Sequence, residues 1–315
     1  MVAAFPGGSV RMGYLSAFGG GIIMRLATHF GVNGQDIGKV ISYCHAFDIK
    51  YLCSGYWHED LIAFKEQFAR EGITLAMMEM GWLREEMLFG DAPRKSELNG
   101  FFDRIKLIGD AGIEMGHVFA ALKTSGAHNI DEEWAWIVRL YEELGEHAEK
   151  HKVKIASHVG WSPEYIIRDR ATIKKLLDTV PNPYVGVNMC LGCLQIVSPE
   201  DIQQGIDETL TAFGKRLFLI HARDIKVVEG HNWVDVAMGQ GEIDLAIITD
   251  RLFDIQNRTG ADPIVLPEHM PKVAGEQANE IGAAWALGYL SGMMKQREML
   301  KSPFFQASPD PSETR

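Results

Sequence analysis

The stretch Leu217-Phe-Leu-Ile-His221-Ala-Arg223-Asp224 passes from four apolar residues directly to a histidine, an arginine and an aspartate. Four apolar residues in a row are typical of a strand that is buried on both faces, as in parallel sheets. Ionisable groups at the end of a buried strand need a ligand or one another as partners. In an α/β barrel the carboxyl ends of the strands carry the chemistry, so the ends of the other strands matter next.

Short apolar runs alternate with amphipathic stretches along most of the chain. The predicted strands are 22–28, 49–54, 73–80, 114–121, 153–158, 184–190, 216–221 and 263–268. The predicted helices are 35–47, 58–71, 97–111, 131–150, 172–179, a segment that begins at 198, 243–259 and 277–298. This alternation predicts a single (β/α)8 TIM barrel domain over residues 1–315, with an N-terminal arm at 1–21 and a C-terminal tail at 300–315. A doubly wound fold of two domains would need a composition break near the middle, and the sequence has none.

The amino-acid composition restricts which binding partners and which cellular compartment we expect. The 315 residues are 46% hydrophobic and 23% charged, an ordinary balance for a globular protein with a large core. The formal net charge of −11 argues against nucleic acid and anionic membranes, although it does not exclude an anionic small molecule. The sequence shows neither an apolar run of roughly 18 residues nor a secretory signal, and its four cysteines do not make a disulfide framework. We expect a cytoplasmic homo-oligomer.

Four predicted strand ends carry side chains that bind divalent transition metals. They are His158, Cys190, His221 and Glu268, at the ends of the fifth to eighth predicted strands. A barrel would bring these strands side by side, so that the four side chains converge. Imidazole, thiolate and carboxylate accept Zn, Mn or Fe and discriminate poorly among them. Taken singly, each residue has a plainer explanation, such as a hydrogen-bonded histidine or a small buried cysteine.

The same stretch contains a CxxC spacing, Cys190-Leu-Gly-Cys193. A structural zinc site would need a second such pair, which Cys44 and Cys53 do not supply. A redox site would need a thioredoxin-like context, which is also missing. We therefore interpret Cys190 as a metal ligand.

Polar residues next to the predicted ligands are candidates for catalysis. Arg223 is suited to a substrate carboxylate, and Asp224 to orienting the metal ligands, unless the two form a salt bridge with each other. His269 directly follows Glu268 and is a candidate general acid or base. We predict Glu268, His269, Arg223 and Asp224 as the catalytic residues.

Three further side chains are predicted to contact substrate. Glu79 ends the third predicted strand, His117 lies in the fourth, and Trp161 follows the fifth. Packing or ordinary hydrogen bonding would explain each of them equally well. The loop Gly239-Gln-Gly241-Glu-Ile-Asp244 ends in a helix cap at the predicted mouth and lacks the third glycine of a dinucleotide fingerprint.

At these residues the sequence resembles the mannonate dehydratase family, within the wider group of xylose isomerase-like barrels. The resemblance extends over nearly the whole chain, from about residue 24 to about 295. It is carried by Leu88-Phe-Gly90, Phe119, His158 with Pro163, Cys190-Leu-Gly192, His221-Ala-Arg223-Asp224, Pro267-Glu268-His269 and Gly288-Tyr289. It implies a divalent cation, typically Mn²⁺, on His158, Cys190, His221 and Glu268. It also implies the loss of water from a sugar acid such as D-mannonate, which gives a 2-keto-3-deoxy sugar acid.

The sequence departs from the family pattern at several points, as expected of a divergent member, and the segment between the fourth predicted strand and its helix is shorter than in the family. Glu268 stands where the family has an aspartate, and Val159-Gly-Trp161 stands where it has two aspartates. A tyrosine expected ahead of the last helix is missing from residues 275–279. These departures keep two alternatives open. One is a metal-dependent isomerase or epimerase that acts on a keto sugar or its acid, and the other is a sugar-binding barrel without catalysis.

Overall fold

The computed structural model of the protein describes residues 24–30, 36–87, 91–120, 122–123, 129–228, 232–272, 274 and 279–300. The strands are β1 (Arg25–Phe30), β2 (Tyr51–Ser54), β3 (Thr74–Leu83), β4 (Met115–Ala120), β5 (Lys154–His158), β6 (Val185–Cys190), β7 (Leu217–Ala222), β8 (Ile225–Val228), β9 (Asn232–Asp235) and β10 (Ile264–Pro267). The α-helices are α1 (Ile37–Ala46), α2 (Leu61–Ala69), α3 (Asp91–Asp110), α4 (Ile130–His151), α5 (Arg170–Thr179), α6 (Leu191–Val197), α7 (Glu200–Gln203), α8 (Ile206–Phe213), α9 (Leu245–Thr259) and α10 (Glu280–Leu300).

Eight parallel strands close into a barrel in the order β1, β10, β7, β6, β5, β4, β3, β2. Helices connect successive strands, so the predicted TIM barrel fold is confirmed. The short strands β8 and β9 form a separate antiparallel hairpin between β7 and α9. Within the described part of the chain, no helix is both long enough and apolar enough to cross a membrane.

Several element boundaries differ from the predicted ones. β1 continues to Phe30 instead of ending at residue 28, and α4 is capped by Asn129 instead of Asp131. Helix α6 and the β8–β9 hairpin have no predicted counterpart. The predicted arm at 1–21 lies outside the described residues, as does the predicted tail beyond Leu300, which ends α10.

The barrel interior is built in layers that lie two residues apart along each strand, because side chains alternate between the faces of a strand. The middle layer is apolar and contains Ala27, Cys53, Met77, Met115, Ala156, Leu219 and Leu266. Two positions further along the same strands, the next inward positions are His29, Gly55, Glu79, His117, His158, His221 and Glu268. On β6, Cys190 pairs in register with His221 and completes this layer at the mouth.

The helices pack on the barrel through apolar stripes that also fix the strands. In α4 the buried residues include Ile137, Leu140, Tyr141 and Leu144, which share one face of the helix. The hydroxyl of Tyr141 hydrogen-bonds the hydroxyl of Ser157 on β5. Because Ser157 faces outward, its neighbour His158 is directed into the barrel mouth.

Candidate metal centre

The four predicted metal ligands meet at the mouth of the barrel. His158, Cys190, His221 and Glu268 each offer one ligand atom, and these atoms all lie within 4.8 Å of one another. They come from β5, β6, β7 and the end of β10, which are consecutive in the barrel. Ligand atoms at about 2.0–2.3 Å from a transition metal lie up to about 4.6 Å apart, so the cluster has nearly the size of a coordination sphere.

The hydrogen bonding of the cluster is incomplete in a way that suits a cation. Among the described residues, neither ring nitrogen of His221 nor Oε2 of Glu268 makes a hydrogen bond of regular geometry, although Nδ1 and Oε2 form an ion pair at 2.5 Å. In contrast, Nδ1 of His158 donates to the carbonyl oxygen of Val159 at 2.5 Å, which leaves Nε2 as the ligand atom. A buried polar atom without a partner costs roughly 1–3 kcal/mol, so the donor set fits a bound metal ion.

The electrostatics of the cluster favour anionic ligands. Burial raises the pKa of the Cys190 thiol, but hydrogen bonds with Cys193, His158 and His221 outweigh burial and hold this pKa well below its usual value. Burial also raises the pKa of Glu268, yet the nearby His221 lowers it to about 2. For His221, burial lowers the pKa, while Glu268 and Cys190 raise it to about 10. Two anions in this buried setting need a positive charge, which a divalent cation would supply in place of the proton on His221.

Cys193 lies one helical turn after Cys190 and supports it. The hydrogen bond to Cys190, together with burial, holds the pKa of Cys193 well above its usual value. Cys193 is therefore a thiol that donates to the Cys190 sulfur. The convergent group of ligand atoms contains Cys190 but not Cys193, Cys44 or Cys53.

Arg223 pairs with the β8–β9 hairpin. Its Nε donates to Oδ1 of Asp235 at 2.6 Å, so the alternative of an Arg223–Asp224 salt bridge is not what the structure shows. A Cβ added to Gly192 would lie 2.7 Å from Cδ of Arg223, so this glycine leaves room for the arginine beside α6. Contact of Arg223 with a substrate carboxylate stays a prediction.

Asp224 holds the loop that precedes α9. Its Oδ2 accepts the backbone N–H of Gly239 at 2.9 Å and that of Gly241 at 2.8 Å. The side chain of Asp244 then accepts the N–H of Ile247 and caps α9, as the sequence predicted. Asp224 thus shapes the wall of the mouth, and a direct catalytic role for it stays a prediction.

His269 lies at the entrance beside Glu268. Its side chain is 49% exposed, and its Nε2 lies 3.7 Å from Oε2 of Glu268. The backbone of His269 has a φ of 54°, a left-handed conformation that is strained for a residue other than glycine. Such strain is typical of functional sites. The position agrees with the predicted acid or base role, which stays a prediction.

His117 is buried within the layer of the metal ligands. Its ring centroid lies 5.0 Å from that of His221 and 5.7 Å from that of His158. Nε2 of His117 lies 2.9 Å from Nδ2 of Asn188. Burial and the neighbouring histidines hold the pKa of His117 well below its usual value, so the ring is neutral.

Glu79 and Trp161 line the mouth on the side of β3 to β5. Oε1 of Glu79 lies 3.0 Å from Nε2 of His29, and the carboxylate is partly exposed. The ring centroid of Trp161 lies 6.5 Å from that of His158 and 5.7 Å from that of Trp82, whose indole is 44% exposed. Contact of Glu79 and Trp161 with a substrate stays a prediction.

His29, Gly55 and Asn188 belong to the site but were not predicted. His29 lies one residue beyond the predicted end of the first strand, and Gly55 and Asn188 carry no ionisable group that would attract notice. A signal was available for His29, which stands two positions after the inward-facing Ala27.

The barrel and the cluster define the chain as an α/β barrel with a candidate metal centre at the carboxyl ends of its strands. More particularly, the chain belongs to the xylose isomerase-like TIM barrel family, whose family model matches residues 37–285. A mannonate dehydratase from Thermotoga neapolitana is 28% identical over 190 residues, which cover 54% of this chain and 51% of that relative. The chain thus spans about half the length of the curated relatives it matches.

Solved structures show the same fold. The crystal structure of mannonate dehydratase from Streptococcus suis serotype 2 superposes with a TM-score of 0.74 at 16% identity, covering 94% of this chain and all of that one. The IolI protein with a bound zinc atom gives a TM-score of 0.68 at 18% identity, covering 87% of this chain and 99% of that one. At these identities the likeness concerns the fold alone.

Proposed function

We propose that the protein is a metal-dependent lyase that removes water from a sugar acid to give a 2-keto-3-deoxy sugar acid, with D-mannonate as the first candidate substrate. The observation that carries this proposal is the convergence of His158, Cys190, His221 and Glu268 within 4.8 Å. The similarity to a mannonate dehydratase from Thermotoga neapolitana supports the choice of substrate class.

The residues present fit a divalent transition metal as the resident cofactor. His158, Cys190, His221 and Glu268 would hold it, and the ring nitrogens of His221, which make no hydrogen bond of regular geometry among the described residues, are part of that fit. When bound, such a cation withdraws charge from the substrate and makes the proton at C2 more acidic. The family resemblance implies that the metal ion is Mn²⁺, whereas the thiolate of Cys190 suits zinc or iron at least as well.

The chain's own side chains supply binding and proton transfer. The guanidinium of Arg223 keeps its charge at all relevant pH values and is suited to a carboxylate. Glu268 and His269 lie side by side at the entrance and are candidates for the proton transfers. His269 is the more exposed of the two and is the candidate that protonates the departing C3 hydroxyl.

The test uses protein reconstituted separately with Mn²⁺, Zn²⁺ and Fe²⁺ and incubated with a panel of aldonates. We expect one equivalent of bound metal and formation of a 2-keto-3-deoxy acid from at least one aldonate. Cys190→Ser should lose both metal and product, whereas Cys44→Ser, a buried cysteine in α1, should keep both. If the wild type binds its metal and converts no aldonate, the proposed function is wrong.

A second candidate is an isomerase or epimerase that acts on a keto sugar or its acid with the same metal. It is favoured by the second carboxylate at the mouth, Glu79, and by the glutamate that stands at position 268. Two carboxylates on different sides of a substrate can remove a proton and return it. Incorporation of solvent deuterium at the carbon next to the carbonyl or carboxylate, without loss of water, would select this candidate.

A further inference from the structure

The half of the mouth opposite the candidate metal centre carries its own group of functional side chains. In the closed ring of eight strands, β3 is four strands away from β7 in either direction, so Glu79 stands across the mouth from His221. The neighbouring strands β1 and β2 place His29 and Gly55 beside Glu79. A substrate bound at the metal ligands would turn its opposite face towards this group.

The carboxylate of Glu79 is held in one orientation. Nε2 of His29 donates to its Oε1 at 3.0 Å, and Nε1 of Trp57 donates to its backbone carbonyl at 2.8 Å. A Cβ added to Gly55 would lie only 2.7 Å from Oε2 of Glu79. The position of the carboxylate therefore depends on His29 of β1 and on the lack of a side chain at Gly55, directly after β2.

Glu79 is also charged and reachable. Burial raises its pKa, but the hydrogen bond and the charge of His29 outweigh burial and hold the pKa below its usual value. The side chain remains 26% exposed, whereas that of His29 is only 11% exposed. The carboxylate is thus unprotonated, oriented and accessible, and in this state it can accept a proton as a general base.

We propose that Glu79 is the general base that takes the proton from the substrate carbon next to the carboxylate or carbonyl, and that His29 is its positioning residue. The substrate named in this inference rests on the proposed function, but the isomerase candidate begins with the same proton transfer. Base and metal centre then act on opposite faces of the substrate.

In the dehydration the C2–H bond breaks and its proton goes to a carboxylate oxygen of Glu79. The electron pair of that bond forms the C2–C3 double bond while the C3–O bond breaks. The departing hydroxyl takes a proton from an acid such as His269 and leaves as water. The resulting enol loses its hydroxyl proton and gains one at C3, which gives the 2-keto-3-deoxy acid.

The experiment measures product formation and proton exchange at the carbon next to the carboxylate or carbonyl by NMR in D₂O, with metal-loaded protein and a panel of aldonates and ketoses. Glu79→Gln keeps the shape of the side chain but removes the base, and we expect kcat to fall by about 10²–10⁴-fold with KM and metal content unchanged. Glu79→Asp should recover part of the rate. His29→Gln should lower kcat by about tenfold, as expected when a positioning partner is lost. Glu66→Gln, an exposed carboxylate in α2, is the matched control.

The outcomes separate this inference from the proposed function. If the wild type dehydrates an aldonate and Glu79→Gln does so within tenfold, Glu79 is not the base, although the proposed function stands. If the wild type only exchanges a proton on the carbon next to the carbonyl of a ketose and Glu79→Gln does not, the dehydratase proposal is wrong and the base assignment stands. If metal-loaded wild type neither dehydrates nor exchanges any member of the panel, both are wrong.

Discussion

Cys193 strengthens the candidate metal centre without being one of its ligands. Its thiol donates to the sulfur of Cys190, and it is buried beside the ligand that it supports. We expect Cys193→Ala to weaken zinc binding by about 10–100-fold, because a partner outside the ligand shell stabilises the thiolate. Competition with a chromophoric chelator measures this affinity. The control is Cys53→Ala, a buried cysteine in the apolar layer, and an unchanged affinity of Cys193→Ala would contradict the assigned role.

The convergence of His158, Cys190 and His221 with Glu268 could be predicted from the sequence, because each lies at the end of a predicted barrel strand. That they bind a metal ion stays a prediction. The role of Gly55 was beyond prediction, because only the fold shows that Glu79 occupies the space its side chain would fill. A single sequence does not reveal a glycine whose role is to leave space for a neighbouring side chain.

The loop between β9 and α9 depends on Asp224. The side chain is buried, and its Oδ2 accepts the N–H groups of Gly239 and Gly241. Asp224→Ala would leave these donors without a partner at about 1–3 kcal/mol each, so we expect the free energy of unfolding to fall by about 2–4 kcal/mol. Urea denaturation measures the change, with Lys226→Ala on the exposed side of β8 as the control. A stability within about 0.5 kcal/mol of the wild type would refute this role.

At the level of elements, strands and long amphipathic helices were predictable, and short elements were not. α6 has five buried residues among its seven, so it shows no polar face from which a helical period could be recognised. The β8–β9 hairpin is short, and three of the four residues of β8 are exposed. Elements of this kind are stabilised by their contacts with the rest of the fold, as in the pairing of Arg223 with Asp235.

The two ends of the closed barrel carry polar residues with different roles. The mouth gathers the candidate metal ligands and Glu79, whereas the floor is closed by ion pairs. Arg25 contacts Glu114 at 2.6 Å and Asp262 at 3.0 Å, and Lys154 contacts Glu114 at 2.7 Å. These ion pairs connect β1 with the residues before β4 and β10, and they connect β5 with the residue before β4. Polar groups at the floor of such a barrel serve stability, and those at the mouth serve function.

The ion pairs of the floor make the stability of the whole barrel depend on pH. Burial raises the pKa of Glu114, but hydrogen bonds from Arg25 and Lys154 outweigh burial and hold it below 4.5. Because the folded pKa is depressed, the stabilisation is complete above the unfolded pKa and is lost as the pH falls through the folded one. Glu114→Gln should therefore cost about 1–2 kcal/mol at neutral pH, a value reduced by the partial exposure of the pair. Urea unfolding measures this loss of stability, which should become smaller as the pH falls below 4.5. Glu59→Gln, which changes an exposed carboxylate, is the control. A difference that stays constant or grows on acidification would show that the ion pairs do not stabilise the barrel.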